Sequence, residues 1–280
     1  MLVVPNAIVS CHWLSQHLNE ANLVILNATI PKVTAKKEAV KTEDRSLATA
    51  RFFDIKGTFS DAEAEFPNTM VSPETFEQEA QQLGINQDSC IVVYDDHGIY
   101  SSPRAWWMFK AMGFENIAVL DGGLPEWMEQ GFETTSATAE KTSKGNFKTK
   151  PNSQLFVDFK HVLNSIEHHQ NTILDARSAA RFNGTAPEPR AGVRSGHIPS
   201  AKSLPYASLL DGTTLKNKEI LQSLYQERNP ENKPMIFSCG TGITACVLAL
   251  GAEIAGYQNS LVYDGSWTEW GSLEQLPIET

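Results

Sequence analysis

The sequence predicts an α/β protein of two tandem domains, each a mainly parallel sheet with helices on both faces. Three observations carry this expectation. First, motifs recur in order. "CIVVYDDHG" (90–98) resembles "PMIFSCGTG" (234–242) at an offset of 144, and "GFENIAVLDGGLPEW" (113–127) resembles "GYQNSLVYDGSWTEW" (256–270) at an offset of 143. Second, short apolar runs alternate with helical stretches, the pattern of parallel strands buried on both faces. Third, a polar stretch separates the copies.

In order along the chain, "LVILNAT" (23–29) pairs with "NTILDAR" (171–177) as an early strand of each copy. In the second copy "TILDA", "SLPY", "PMIFSC" and "SLVYDG" are successive strand candidates, with a helix from Thr244 to about Ala255 between the last two. The one-residue change of offset is assigned to that helix. Between the copies, "TTSATAEKTSKGNFKTKPNSQ" (134–154) has Phe147 as its one large apolar residue and reads as a surface linker. The resulting division is a first domain at 1–135, a linker at 136–153 and a second domain at 154–280.

The chain has 280 residues, 41% hydrophobic and 20% charged, values that allow a sizeable core. Its net charge of −10 argues against nucleic acid or an anionic membrane as partner, and leaves room for a small anion held by local arginines. "MLVVPNAIVSCHWL" has no basic start, and its apolar run is broken by Pro5 and Asn6, so neither a signal peptide nor a spanning segment is expected. Cys11, Cys90, Cys239 and Cys246 are scattered without metal-ligand spacing, which suggests reduced thiols and a cytoplasmic protein.

Of these four, Cys239 stands apart. In a parallel sheet, ligands bind at the carboxyl ends of strands, and Cys239 follows the strand "MIFS" directly. Gly240 and Gly242 allow the loop amides to turn inward as a nest, and the following helix N-terminus adds partial positive charge. An anionic sulfur placed there needs no histidine base. The hydroxyls of Thr241 and Thr244 add hydrogen bonds. Cys11, Cys90 and Cys246 read as small buried hydrophobes. The first copy has Asp95 where the second has Cys239, and that exchange predicts an exposed loop position in both.

These residues match a known family. "LDARS" (174–178), "RFNGTAPEPRAGVRSGHIPSA" (181–201), "CGTGITA" (239–245), the paired "DGGLPEW" and "DGSWTEW", and "ARFFDI" (50–55) resemble the two-domain sulfurtransferases of the rhodanese superfamily over essentially the whole chain. The neutral "CGTGIT" is similar to the active loop of the 3-mercaptopyruvate sulfurtransferases, with Thr for Ser and Ile for Val. Thiosulfate sulfurtransferases carry cationic residues directly after the cysteine.

The resemblance implies that Cys239 is the nucleophile, assisted by Thr241, and that Gly240, Gly242, Ile243 and Thr244 line the donor. It implies that Arg181 and Arg190 hold the carboxylate and ketone of 3-mercaptopyruvate, with Asp175 in support. It also implies a persulfide on Cys239, release of pyruvate, and transfer of the sulfur to thioredoxin, a small thiol or cyanide, with no metal or organic cofactor. The alternatives are a thiosulfate sulfurtransferase and a non-catalytic binding module. A loop-cysteine phosphatase would need Cys-x5-Arg, and position 245 is Ala.

One part of the family pattern is missing. Where some members have a histidine after "FFDI", the corresponding position here falls near Asn68, and the acidic position falls near Lys56. Other conspicuous residues have structural readings. His197 fixes a loop, Trp127 and Trp270 pack the interior, and His168 and His169 end a solvated helix rather than ligate a metal.

Overall fold

The computed structural model describes residues 1–32, 45–136 and 142–280. Residues 137–141 of the expected linker lie outside the described residues. The chain forms two compact units: Met1–Asp61, Met70–Asn152 and Gly212–Leu215 in the first, Ala62–Thr69, Ser153–Asp211 and Lys216–Thr280 in the second.

The first unit is built on β1 (Ile8–Val9), β2 (Leu23–Asn27), β3 (Arg51–Phe52), β4 (Cys90–Tyr94) and β5 (Ile117–Leu120). The sheet order is β1-β5-β4-β2-β3, and every pair is parallel. The sheet is buried on both faces. Helices α1 (Cys11–His17) and α4 (Gly123–Glu129) contribute Leu14, Leu124 and Trp127 to one core with Ile25, Val92 and Ala118. On α2 (Pro73–Gln82) and α3 (Ser102–Ala111), Phe76 and Phe109 form an aromatic cluster with Phe53, Phe59 and Phe147.

The second unit repeats the plan with β6 (Phe156–Val157), β7 (Thr172–Asp175), β8 (Lys202–Ser203), β9 (Met235–Ser238) and β10 (Ser260–Tyr263). Its order is β8-β7-β9-β10-β6, again parallel throughout. Alternate side chains serve opposite faces, as the pleat requires. Ile173 and Ile236 join Val162 of α5 (Phe159–His168) and Trp267 and Trp270 of α9 (Ser266–Ser272). Phe237 instead meets Tyr225 of α7 (Lys218–Arg228), which hydrogen-bonds Leu248 of α8 (Ala245–Ala255). The short α6 (Ala179–Phe182) follows β7. Helix α8 is apolar nearly all round because α7 covers the side that sheet contacts leave open.

Two expectations change. The offset between the copies shifts in the loop after β4 and β9, which is one residue longer in the first unit (95–101 against 239–244), and not inside the helix. The end of the polar linker is docked rather than loose. Phe147 is fully buried, and the amides of Gly145, Phe147, Lys150 and Asn152 donate to carbonyls of Gln81, Ile85, Met112 and Ala111. A single aromatic with local backbone pairing outweighs the polar composition around it. Trp127, Trp270, Cys11, Cys90 and Cys246 are buried as expected. Burial pushes the Cys11 thiol up to about 12 and that of Cys90 up to about 11, which suits packing and not nucleophilic chemistry.

Phe147→Ala removes the ring that packs on Phe76 and Phe109 and should lower unfolding free energy by about 3–5 kcal/mol. Urea denaturation of the intact chain checks this, and a loss below about 1 kcal/mol would mean the segment is only draped on the surface.

Candidate active site

Strand β9 delivers Cys239 to the carboxyl edge of the second sheet, and α8 starts six residues later at Ala245. The Cys239 and Gly240 carbonyls accept hydrogen bonds from the amides of Trp267 (3.0 Å) and Thr268 (2.9 Å) at the start of α9. Because peptide units are planar and trans, the amides of Gly240 and Thr241 then point the opposite way. The amides of Gly240, Thr241, Ile243 and Thr244 have no acceptor among the described residues. They form an open nest for an anion beside the sulfur. Gly242 takes φ +75°, where a side chain would strain the backbone. Gly240 serves differently. Its φ is ordinary, and a Cβ there would stand 3.2 Å from Nη2 of Arg181.

Ser266 locks the loop from behind. Its Oγ accepts the amides of Cys239 and Gly242 (3.1 Å each), donates to the Tyr263 carbonyl (2.8 Å) and lies 4.0 Å from Cys239 Sγ. It is fully buried and holds φ +51°, which is uncommon for serine. Thr241 is fixed from the other side: Asn68 Nδ2 donates to Thr241 Oγ1 at 2.9 Å. Residues 62–69 belong to the second unit, so this bond is internal to it. Asn68 therefore does occupy the position facing Thr241. An amide cannot relay a proton, but by donating it leaves the threonine hydroxyl hydrogen available to the site. Lys56, at the expected acidic position, is exposed.

The first unit shows what the same loop does with a carboxyl side chain. Asp95 Oδ2 accepts the amides of Tyr100, Ser101 and Ser102 and the Ser102 hydroxyl at 2.7–2.9 Å, while Oδ1 accepts the His97 amide at 3.0 Å. Asp95 is fully buried and Cys239 is 2% exposed, so the expectation of exposed loop positions is corrected. Aspartate tolerates burial here because five donors replace its water. The first nest is filled by its own side chain, and the second is left for a ligand.

Asp175 ends β7 and holds Arg177 through paired bonds, with Nη2 2.6 Å from Oδ2 and Nε 3.1 Å from Oδ1. Arg177 stacks over Trp267 at 4.5 Å and donates to Glu188 at 2.9 Å. Glu188 in turn accepts Nε (3.1 Å) and Nη2 (2.5 Å) of Arg181. A ladder of alternating charge thus runs from Asp175 at the end of β7 to the Cys239 loop. Arg181 is brought to the loop but is not a lone cation. Arg190 lies farther along the same excursion, half-buried, and has no hydrogen-bond or ion-pair partner among the described residues. Ile243 is buried in the loop, and Thr244 caps α8 without a side-chain bond. His197 stacks on Phe182 at 3.8 Å and bonds its carbonyl, a loop-fixing role. Among the described residues, no cluster of His, Cys, Asp and Glu could hold a metal, and no helix is long and apolar enough to cross a membrane.

The family model of the rhodanese-like domain matches residues 10–130 and again 158–273. The chain belongs to the rhodanese-like family. It is 38% identical to the mitochondrial thiosulfate/3-mercaptopyruvate sulfurtransferase 1 of Arabidopsis thaliana, covering 98% of this chain and 78% of the relative. It is 36% identical to the 3-mercaptopyruvate sulfurtransferase of Escherichia coli, covering 97% of each. The crystal structure of SseA from E. coli, a 3-mercaptopyruvate sulfotransferase, superposes with a TM-score of 0.83 at 33% identity, covering 94% of this chain and 99% of that one.

Two site residues escaped the sequence reading. Ser266 falls where the first copy has Gly123, and the two loops explain the exchange. A Cβ at Gly123 would lie 2.3 Å from the Asp95 carbonyl, so the first unit has no room for a side chain there. The paired substitution Asp95/Gly123 to Cys239/Ser266 was a readable signal. Glu188 sat inside the quoted "PEPR" and carried no signal apart from its partners.

Ser266→Gly keeps the left-handed backbone and deletes the double acceptor. Sulfurtransferase turnover should slow roughly tenfold or more, while far-UV circular dichroism stays unchanged. An unchanged rate would show that α9 alone holds the loop. On the same helix, burial and the charges of Asp158, Asp264 and Glu65 raise the Glu269 carboxyl above its usual range. The folded state therefore binds a proton that the unfolded chain releases, so stability falls as pH rises from about 4.5 through the raised value. Glu269→Gln should stabilise at neutral pH and lose that advantage in acid, which melting curves across pH will check.

Proposed function

We propose that this rhodanese-like protein is a 3-mercaptopyruvate sulfurtransferase that carries sulfur on Cys239 as a persulfide. The observation that supports it most is a buried cysteine in a neutral loop whose amides are unspent, with a guanidinium held against Gly240. The names of its relatives support the same reading.

In this reading the Cys239 thiolate attacks the donor sulfur. An S–S bond forms and the donor C–S bond breaks, its electron pair leaving on pyruvate as the enolate, which then takes a proton. The nest amides stabilise the anionic sulfur, and the Thr241 hydroxyl, directed by Asn68, donates into the site. Arg181 and Arg190 hold the carboxylate and ketone, a task suited to planar, permanently charged donors. An acceptor thiolate, from thioredoxin or a small thiol, or cyanide in an assay, attacks the outer sulfur and releases the Cys239 thiolate. Four free cysteines suit a reducing compartment such as the cytoplasm. Thiosulfate is the weaker donor in this account, because no cationic residue follows Cys239 in the loop.

The test is sulfur transfer to cyanide with each donor. kcat/KM should favour 3-mercaptopyruvate by roughly tenfold or more, and Arg190→Leu should reduce turnover of this donor more than that of thiosulfate. Cys239→Ser should show no gain of one sulfur in intact mass. A preference for thiosulfate would overturn the donor assignment, and activity with neither donor would favour a binding module.

A further inference from the structure

We propose that Glu188 is a specificity-determining positioning residue: by neutralising Arg181 at the Cys239 loop, it tunes the site to a singly charged donor. This deepens the functional reading above and rests on its assignment of Arg190 to donor binding.

The geometry supplies the charge count. Asp175, Arg177, Glu188 and Arg181 form one connected ladder through contacts of 2.6, 2.9 and 2.5 Å. Two carboxylates and two guanidiniums cancel. The Glu188 side chain is 4% exposed and that of Arg181 18%, so water screens their interaction little. Both Glu188 oxygens are occupied by arginines, one by Arg177 and Arg181 together and the other by Arg181. Arg177 is anchored by Asp175 and by the Gly196 carbonyl, so Glu188 is held on a fixed mount and in turn fixes Arg181. What remains for the donor is the outer edge of Arg181, the nest amides and the full charge of Arg190, which has no partner among the described residues.

That remainder matches one carboxylate. At neutral pH 3-mercaptopyruvate carries its carboxylate charge and a mostly protonated thiol, because a thiol titrates near 8.5. Thiosulfate carries two negative charges. A site with one uncompensated cation pays for desolvating the second charge without a partner for it. The neutral loop after Cys239 and the neutralised Arg181 therefore act in the same direction.

Glu188→Gln retains the shape and one acceptor oxygen and adds one unit of positive charge beside Gly240. The ratio of kcat/KM for thiosulfate to that for 3-mercaptopyruvate should rise about tenfold, chiefly through a lower KM for thiosulfate. Glu188→Asp keeps the charge and retracts it by one methylene. It should slow both donors by a common factor and leave the ratio within about twofold of the parent, as a change of position without a change of charge requires. A loss shared equally by both donors in Glu188→Gln, or a ratio shift in Glu188→Asp as large as in Glu188→Gln, would overturn the proposal. The unmodified protein gives a second reading that does not depend on a folded variant: pyruvate, a monoanion, should inhibit at lower concentration than sulfate, and equal or stronger inhibition by sulfate would contradict the account. A parent protein that prefers thiosulfate defeats the functional reading itself. A parent that prefers 3-mercaptopyruvate with no shift in Glu188→Gln defeats only the role of Glu188.

Discussion

Everything in the second unit depends on keeping several backbone amides around Cys239 without an internal acceptor. Buried N–H groups are costly to leave unpaired, so an open nest must be held open by bonds made elsewhere. Here α9 takes the carbonyls of Cys239 and Gly240, and the Ser266 hydroxyl takes the amides of Cys239 and Gly242. The remaining amides are then committed to whatever anion arrives. The sheet positions the loop, and α9 sets its polarity.

The duplicated chain solves the same constraint twice. In the first unit the Asp95 carboxylate fills the nest, with Gly123 at the left-handed start of α4. In the second, a thiol too weak as an acceptor to satisfy the amides takes that place, and Ser266, at the left-handed start of its helix, accepts a different pair of amides, those of Cys239 and Gly242. Donors that a buried carboxylate fills in the first unit are left open in the second. The ladder from Asp175 to Arg181 follows a similar rule, because each buried charge is paired before the next is placed.

Much of the architecture was legible in the sequence because parallel strands buried on both faces are near-continuous apolar runs, and "TILD", "MIFS" and "SLVY" all fold as such. The repeat gave the two-unit plan. The two-residue strands were barely legible: Phe156–Val157 has no pattern long enough to read, and the expected "SLPY" strand meets the observed Lys202–Ser203 only at Ser203. The polar tail of the linker misled, because one buried phenylalanine decided its docking. In the site, Cys239, Thr241, Asp175 and Arg181 were visible from motif and position. The burial of Asp95, the hydroxyl of Ser266 and the pairing of Glu188 needed geometry, because each acts through partners distant in sequence.

The most direct test is a crystal structure of the protein after reaction with its sulfur donor. The account predicts an outer sulfur on Cys239 lying within hydrogen-bond reach of the amides of Ile243 and Thr244, with the Ser266 bonds unchanged. An outer sulfur turned out of the loop, with those amides still unpaired or bonded only to water, would contradict it.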